Sequence, residues 1–350
     1  MDISELGEFA LIARLTAGLT SHSSSDVGIG DDCAVLDMGG DNLLLATCDS
    51  QVEGVHFTLQ TSSPEHIGRK ALAINLSDIA AMGGEPRYAL ISLLLPPHLS
   101  VDVLDGIYAG LRAEATRFNT AIVGGNISGV GVAQQICIDI TLLGTVKRGY
   151  ALLRSGAGAG DILCVTGTPG ESAAGLSTFV RPSTTPTVPP FPQLSIDPQS
   201  LQYVRERHTA PTARVREGQI LSQLGPDKVT AALDISDGLS GDLQHLCERS
   251  QCGVLLDLAR LPLGEPLHTI ARAYSRDAHD WILHGGEDYE LLFTCAPDAF
   301  EAVHTAIRAQ TGTPVTPIGL MTPASQGMQI LYPDGHAASL VAQSWDHLKH

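Results

Sequence analysis

Apolar positions recur at helical spacing near the start of the chain, where Leu6, Phe9, Ala10 and Ala13 predict an amphipathic helix over 3–19. The polar run SHSSSD (21–26) predicts a turn after it. Residues 43–49 read as a strand that runs into Asp49. SerSerProGlu at 62–65 is a helix start, with Ser63 as N-cap and Pro64 in the first turn, and Gly83-Gly84 stops that helix after about Met82. A further helix is predicted over 101–118. Ile136, Ile138, Ile140 and Leu142 alternate with Gln135, Cys137, Asp139 and Thr141, the period of a strand with one covered face. DILCVT (161–166) is another short strand.

Six prolines between 181 and 198 break regular structure and predict an exposed loop. Beyond it the pattern gives a helix near 212–224, a strand at 229–235, a helix at 237–249, and strands near 253–258 and 289–294. Strands and helices mix in both halves, so the fold class is α/β or α+β, with no internal repeat. A chain of 350 residues has room for two domains. The junction is expected near residue 150, giving 1–150 and 151–350, with the loop 181–198 inside the second.

Composition changes this picture little, but charge narrows the partners. The formal net charge is −17, from 38 acidic against 21 basic residues, and only Lys70, Lys147, Lys228 and Lys349 are lysines. No basic stripe exists for a nucleic acid. An acidic chain that handles anions needs metal ions to reverse the local field; equally, acidity alone keeps a protein soluble. Cys33, Cys48, Cys137, Cys164, Cys247, Cys252 and Cys295 form an odd set with no CxxC, which predicts reduced thiols and a cytoplasmic protein. MDISELGEFALIARL does not read as a signal peptide, and no apolar run is long enough for a membrane span.

The candidate chemistry lies in carboxylates at unusual places. Gly28-Ile29-Gly30-Asp31-Asp32 sets two acids after a flexible turn, and alone reads better as a solvated turn than as a metal site. Asp78 follows Ile67, Ala71 and Ile74 along an apolar stripe, while Leu72, Leu76 and Ile79 make a second stripe. A carboxylate there is costly unless it binds a cation or pairs with a base, for which Arg69, Lys70 and Arg87 are the candidates. Asp234-Ile235-Ser236-Asp237-Gly238 falls where a strand turns into a helix, a place for a cap or for a phosphate. Gly286-Glu287-Asp288-Tyr289-Glu290 reads as a loop edge, and Val123-Gly124-Gly125-Asn126 as a bare-backbone turn. There is no GxxxxGK[ST] loop, no protein-kinase catalytic loop or DFG, no GxSxG and no HExxH.

Taken together these segments resemble the thiamine-monophosphate kinases, within the aminoimidazole-ribonucleotide synthetase-like superfamily. The matching runs are GEFALIARL (7–15), GIGDDCAVL (28–36), CDSQVEGVHF (48–57), KALAINLSDIAAMGGEP (70–86), IVGGN (122–126), ALLRSGAGAGD (151–161), VTGTPGESAAGL (165–176), DISDGLSGDL (234–243), GGEDYELLFT (285–294) and SWDH (344–347). The resemblance implies a two-domain fold whose N-terminal domain binds ATP and metal and dimerises through its sheet. It implies transfer of a phosphoryl group from ATP, the co-substrate, to thiamine monophosphate with several Mg²⁺ ions. Donor and acceptor are both anions, so positioning and charge neutralisation are the work, with no general base.

By the same resemblance Asp32, Thr47, Asp49, Asp78, Asn126, Asp234 and Asp237 would line the metal sites, with Asp49, Asp78 and Asp234 assisting transfer. Gly125, Asn126, Arg154 and Ser236 would contact ATP, and His56, Glu287 and Trp345 the thiamine phosphate. Two residues depart from the family pattern. Asn126 stands where an Asp is usual, and Cys48 where a Thr is usual beside the metal-binding Asp. Asn removes a negative charge, and a thiol is a poor Mg²⁺ ligand, so a raised Mg²⁺ requirement is expected. The alternatives are a sister ATP-dependent enzyme of the superfamily and a nucleotide-binding protein with impaired catalysis.

Overall fold

The structure, a computed structural model, describes residues 3–19, 26–129, 131, 135–179 and 195–343. Trp345 and most of the proline-rich 181–198 lie outside these residues, as do most of the SHSSSD turn and the side chains of Leu6 and Phe9. The opening helix is two pieces rather than one. α1 (Ile3–Leu6) and α2 (Glu8–Thr16) are separated by Gly7, whose φ of 78° is left-handed and interrupts the helical run.

β1 (Ala34–Leu36), β2 (Asn42–Val52), β3 (Glu85–Leu95), β4 (Ala121–Gly129) and β5 (Cys137–Lys147) form a sheet in the order β1-β2-β5-β3-β4. All its pairs are antiparallel except β3 with β4. The predicted alternation is that of β5. Ile138, Ile140 and Leu142 are fully buried against α3 (Pro64–Ala81), while Asp139 and Thr141 take the outer face. Val123–Asn126, expected as a turn, is the interior of β4. A Cβ on Gly125 would lie 1.8 Å from the Ile91 carbonyl oxygen, so this glycine serves a close strand approach.

α3 is the central element. Ser63 Oγ accepts the His66 amide at 3.2 Å, as the cap pattern predicts, and the helix is buried on most sides. It packs on β2 and β5, on α4 (Val101–Arg117), and across to α7 (Val215–Leu224) and β7 (Val229–Asp234). The helix therefore joins the two halves of the molecule.

The second sheet contains β6 (Ile162–Thr166), β7, β8 (Cys252–Asp257), β9 (Leu291–Cys295), β10 (Val315–Pro323), β11 (Met328–Leu331) and β12 (Ala337–Ser339). Its order is β12-β11-β8-β10-β6-β9-β7, and only β11 with β8 is parallel. Its helices are α5 (Glu171–Ser177), α6 (Pro198–Thr209), α7, α8 (Leu239–Ser250), α9 (Glu265–Tyr274), α10 (Ala278–His284) and α11 (Phe300–Thr311). The last proline of the predicted loop is a helix start. Asp197 Oδ1 accepts the amides of Gln199 and Ser200, each at 3.0 Å, and Pro198 opens α6. The strand expected near 289 begins at Leu291, because Glu287 and Tyr289 hold φ of 66° and 53°. Among the described residues the cysteines are free, and no helix is long and apolar enough to cross a membrane.

Candidate active site

β2 ends in a free edge beside α3, and alternation decides what faces the helix. Leu43, Leu45, Thr47, Asp49 and Gln51 point inward, while Cys48 and Ser50 point outward. The Thr47 hydroxyl donates to Asp78 Oδ2, and Asn75 Oδ1 accepts the Asp49 amide at 3.2 Å. β7 delivers Asp234 to the same place, where Ser77 Oγ donates to its Oδ2 at 2.6 Å. The glycine turn brings Asp32. One carboxylate oxygen each from Asp32, Asp78 and Asp234 lies within 4.8 Å of the others.

None of the bases expected near Asp78 pairs with it. Arg69 goes to Glu114 at 3.3 Å, Arg87 to Glu85 at 2.8 Å, and Lys70 to Glu287 at 2.6 Å. Burial, then the charges of Asp49, Asp234 and Asp32, push Asp78 well above the usual carboxylate range. Burial and then Asp32 push Asp234 up to about 8. Asp32 is also raised by burial, despite Arg154 against it at 2.5 Å. Its Oδ2 is buried without a hydrogen-bond partner. Clustered carboxylate oxygens with little positive charge between them suit a hard divalent cation.

The Gly28–Asp32 turn is held from below. Arg154 donates its amide to Asp31 Oδ1 at 2.6 Å and its guanidinium to Asp32 Oδ1. Arg249 approaches Asp31 to 3.7 Å. Asp242 Oδ2 accepts the amides of Ser236 and Asp237 at 3.1 and 3.2 Å, so it shapes the turn that carries both.

Gly125 and Asn126 stand elsewhere. They lie on β4, three strand spacings from β2, about 14 Å away. Asn126 is exposed on the outer face, in one row with Ser92, Asp139 and Ser50, and its Nδ2 donates to Ser128 Oγ at 3.0 Å. Cys48 shares that face, its thiol 3.5 Å from Asp139 Oδ1. Strand alternation turns this thiol away from the acid cluster that Asp78 and Asp234 form on the inner side.

His56 and Glu287 meet on the inner side. Lys70 Nζ donates to the His56 carbonyl at 3.0 Å and lies 2.6 Å from Glu287 Oε1. His208 Nδ1 is 3.3 Å from Glu287 Oε2 and 3.2 Å from Ser172 Oγ. Burial raises the Glu287 pKa, but Lys70 and then His208 outweigh it and hold the carboxyl below its usual range. His56 Nδ1 accepts the Val52 amide at 3.0 Å, so the proton of a neutral ring sits on Nε2.

Residues 30–146 match the family described as AIR synthase related protein, N-terminal domain, and residues 158–329 match its C-terminal domain. Thiamine-monophosphate kinase of Bacillus subtilis is 35% identical over 344 residues, covering 98% of this chain and 100% of that protein. The Escherichia coli K12 enzyme of the same name is 36% identical, covering 97% and 98%. A structure solved as AaThiL complexed with AMPPCP and TMP superposes with a TM-score of 0.81 at 32% identity, covering 99% of each chain. The chain belongs to the thiamine-monophosphate kinase family.

The family's two-domain fold accounts for the two mixed sheets. Sequence reasoning on this family member missed Asn75, Ser77, His208, Asp242 and Arg249. Asn75, Ser77 and Asp242 stood inside quoted motifs, so position in a motif was the available signal. His208 and Arg249 lie on helices with no motif, and only the fold brings them in.

Proposed function

We propose that the protein transfers the terminal phosphoryl group of ATP to the phosphate of thiamine monophosphate, giving thiamine diphosphate and ADP. The observation that carries this is the Asp32–Asp78–Asp234 cluster, two of its acids half-buried and Asp234 buried, in a chain 35% identical over its length to a thiamine-monophosphate kinase. In the transfer, the bond between the γ-phosphorus and the β,γ-bridging oxygen breaks. A new bond forms to an oxygen of the acceptor phosphate. Bound Mg²⁺ supplies charge neutralisation for two mutually repelling anions.

The residues divide the work. Asp32, Asp49, Asp78, Asp234 and Asp237 hold cations, with Thr47 orienting Asp78. Arg154 and Ser236 meet the nucleotide, and Arg154 suits a phosphate because its guanidinium donates two parallel hydrogen bonds. His56 and Glu287 take the thiamine end, with Trp345 as a further contact. The domains divide near residue 150.

Asn126 and Gly125 join this site from a second copy of the chain. Their distance from β2 supports that reading, as does the open outer face of the first sheet, where Tyr88 and Leu90 are 53% and 41% exposed. The mass in solution checks the dimer.

Purified protein, ATP, Mg²⁺ and thiamine monophosphate, followed by chromatography of thiamine diphosphate across a Mg²⁺ titration, tests the function. Product that depends on protein and Mg²⁺ is expected. ATP binding with no product across the range would overturn it in favour of a non-catalytic nucleotide binder.

A further inference from the structure

Lys70 is among the largest fully buried side chains of the molecule, with 2% of its surface exposed. A buried ammonium is expensive, and an apolar residue of the same volume is often the more stable choice. Its surroundings show what it holds. One contact is the His56 carbonyl at 3.0 Å and the other is Glu287 Oε1 at 2.6 Å. These are the two residues that the reading of the site above gives to thiamine monophosphate. The second carboxylate oxygen of Glu287 faces His208, which Ser172 holds in turn. The Glu287 backbone has φ of 66°, uncommon outside glycine, and its amide donates to the Ser236 carbonyl at 2.7 Å. Glu287 is thus fixed at its main chain to the nucleotide-side turn and at its side chain to α3.

Lys70 and Asp78 sit on the same helix, eight residues apart. At 1.5 Å per residue this separates them by about 12 Å along a buried, rigid axis. Thiamine monophosphate is an extended molecule with phosphate at one end and an aminopyrimidine at the other. We propose that Lys70 is the positioning residue of the acceptor pocket, joining His56 and Glu287 on one ammonium and setting their distance from the metal-binding acids of α3. Glu287, kept as a carboxylate, then accepts the amino group of the pyrimidine or faces the cationic thiazolium.

This inference rests on the proposed function, and the experiment separates the two. Affinity for thiamine monophosphate is measured by calorimetry on the full chain with Mg²⁺ and a non-hydrolysable ATP analogue. The variants are Lys70→Met, Glu287→Gln and the double variant, which removes both charges and leaves no unpaired buried ion. The expected result is a loss of about tenfold to a hundredfold in each single variant, no further loss in the double, and unchanged affinity for the nucleotide. In turnover, KM for thiamine monophosphate rises and KM for ATP does not. Losses that multiply in the double variant, or that fall equally on nucleotide and thiamine monophosphate, overturn the positioning role. Wild-type protein that binds the nucleotide but not thiamine monophosphate overturns the function, and this inference with it.

Discussion

Glu290 is fully buried with Arg214 at 2.5 Å, Arg207 at 2.7 Å and the Thr166 hydroxyl at 2.7 Å, while Arg207 also reaches Glu171 at 3.2 Å. Burial raises its pKa, and the two arginines outweigh burial, so Glu290 stays below the usual range. Asp78 is half-buried, yet its nearest charges are other acids, and its pKa goes the opposite way. The two regions differ in what neutralises the charge. Around Glu290 the chain does so itself, and the acid is a structural rivet between β6, α6 and α7. Around Asp78 none of the candidate bases does so, an arrangement that suits a bound cation. An enclosed acid is thus read by its partners, and burial alone says nothing of its role.

Removing one acid from each region should break the two in opposite ways. Asp78→Asn is expected to lower turnover by about a thousandfold, the loss that follows when several kcal/mol of charge stabilisation goes. In EDTA the same variant should unfold at a temperature equal to or above wild type, because it relieves repulsion. Glu290→Gln should lower unfolding free energy by about 3–5 kcal/mol, since Arg207 and Arg214 are left buried without their carboxylate. Urea unfolding of both in EDTA decides the matter. If Asp78→Asn costs as much stability as Glu290→Gln, the distinction between the regions collapses.

A smaller effect separates them by pH. The folded Asp234 pKa is raised from 3.8 to about 8, so its contribution is present in acid and is lost as pH rises through that window. Asp78 and Asp32 shift the same way. Glu290 is lowered, so its contribution is lost only as pH falls below the ordinary carboxylate range. Between pH 5 and 9 the EDTA-treated protein should therefore lose up to about 4 kcal/mol, from the acid cluster alone. Saturating Mg²⁺ should cancel the slope, because cations bind the deprotonated acids. A melting-temperature series with and without Mg²⁺ tests this, and a slope that survives when Asp32, Asp78 and Asp234 are all replaced by Asn would place its origin elsewhere.

Some of this was legible before any fold. The stripe Ile67–Ala71–Ile74–Asp78 put a carboxylate on a buried face, and the structure keeps it there without a base. The alternation of Ile136 to Leu142 gave β5 and its covered face. Other features depend on long-range partners that local pattern does not carry. Lys70 looked available to Asp78 because the two share a helix, but helical geometry separates them and β9's loop brings Glu287 instead. Val123–Asn126 looked like a turn because glycine usually marks one. Here the small residue lets β4 approach Ile91, a need visible only once β3 lies beside it. Pro198 looked like the end of a loop, while the Asp197 cap makes it the start of α6.

The weakest expected effect probes the join between the acid cluster and the outer face. Asn126 donates from Nδ2 to Ser128 Oγ, and its neutral oxygen stands where the resemblance to the family leads one to expect a carboxylate. Asn126→Asp would turn the Ser128 hydroxyl from acceptor to donor and add one negative charge. The Mg²⁺ concentration for half-maximal activity should fall by about threefold to tenfold. Cys48→Thr should leave it unchanged, since that side chain faces Asp139 rather than Asp78. Because β4 lies about 14 Å from β2 within one chain, the proposed dimer predicts that the gain at Asn126 is felt by the acid cluster of a second copy. Mixing Asp78→Asn protein with Asn126→Asp protein therefore sorts the cases. If the site is shared, every mixed dimer has one intact acid cluster, and that cluster is faced by Asn126 from the Asp78→Asn partner. The mixed dimers then turn over with the wild-type Mg²⁺ midpoint. If the site is complete within one chain, their activity keeps the lowered midpoint of the Asn126→Asp protein.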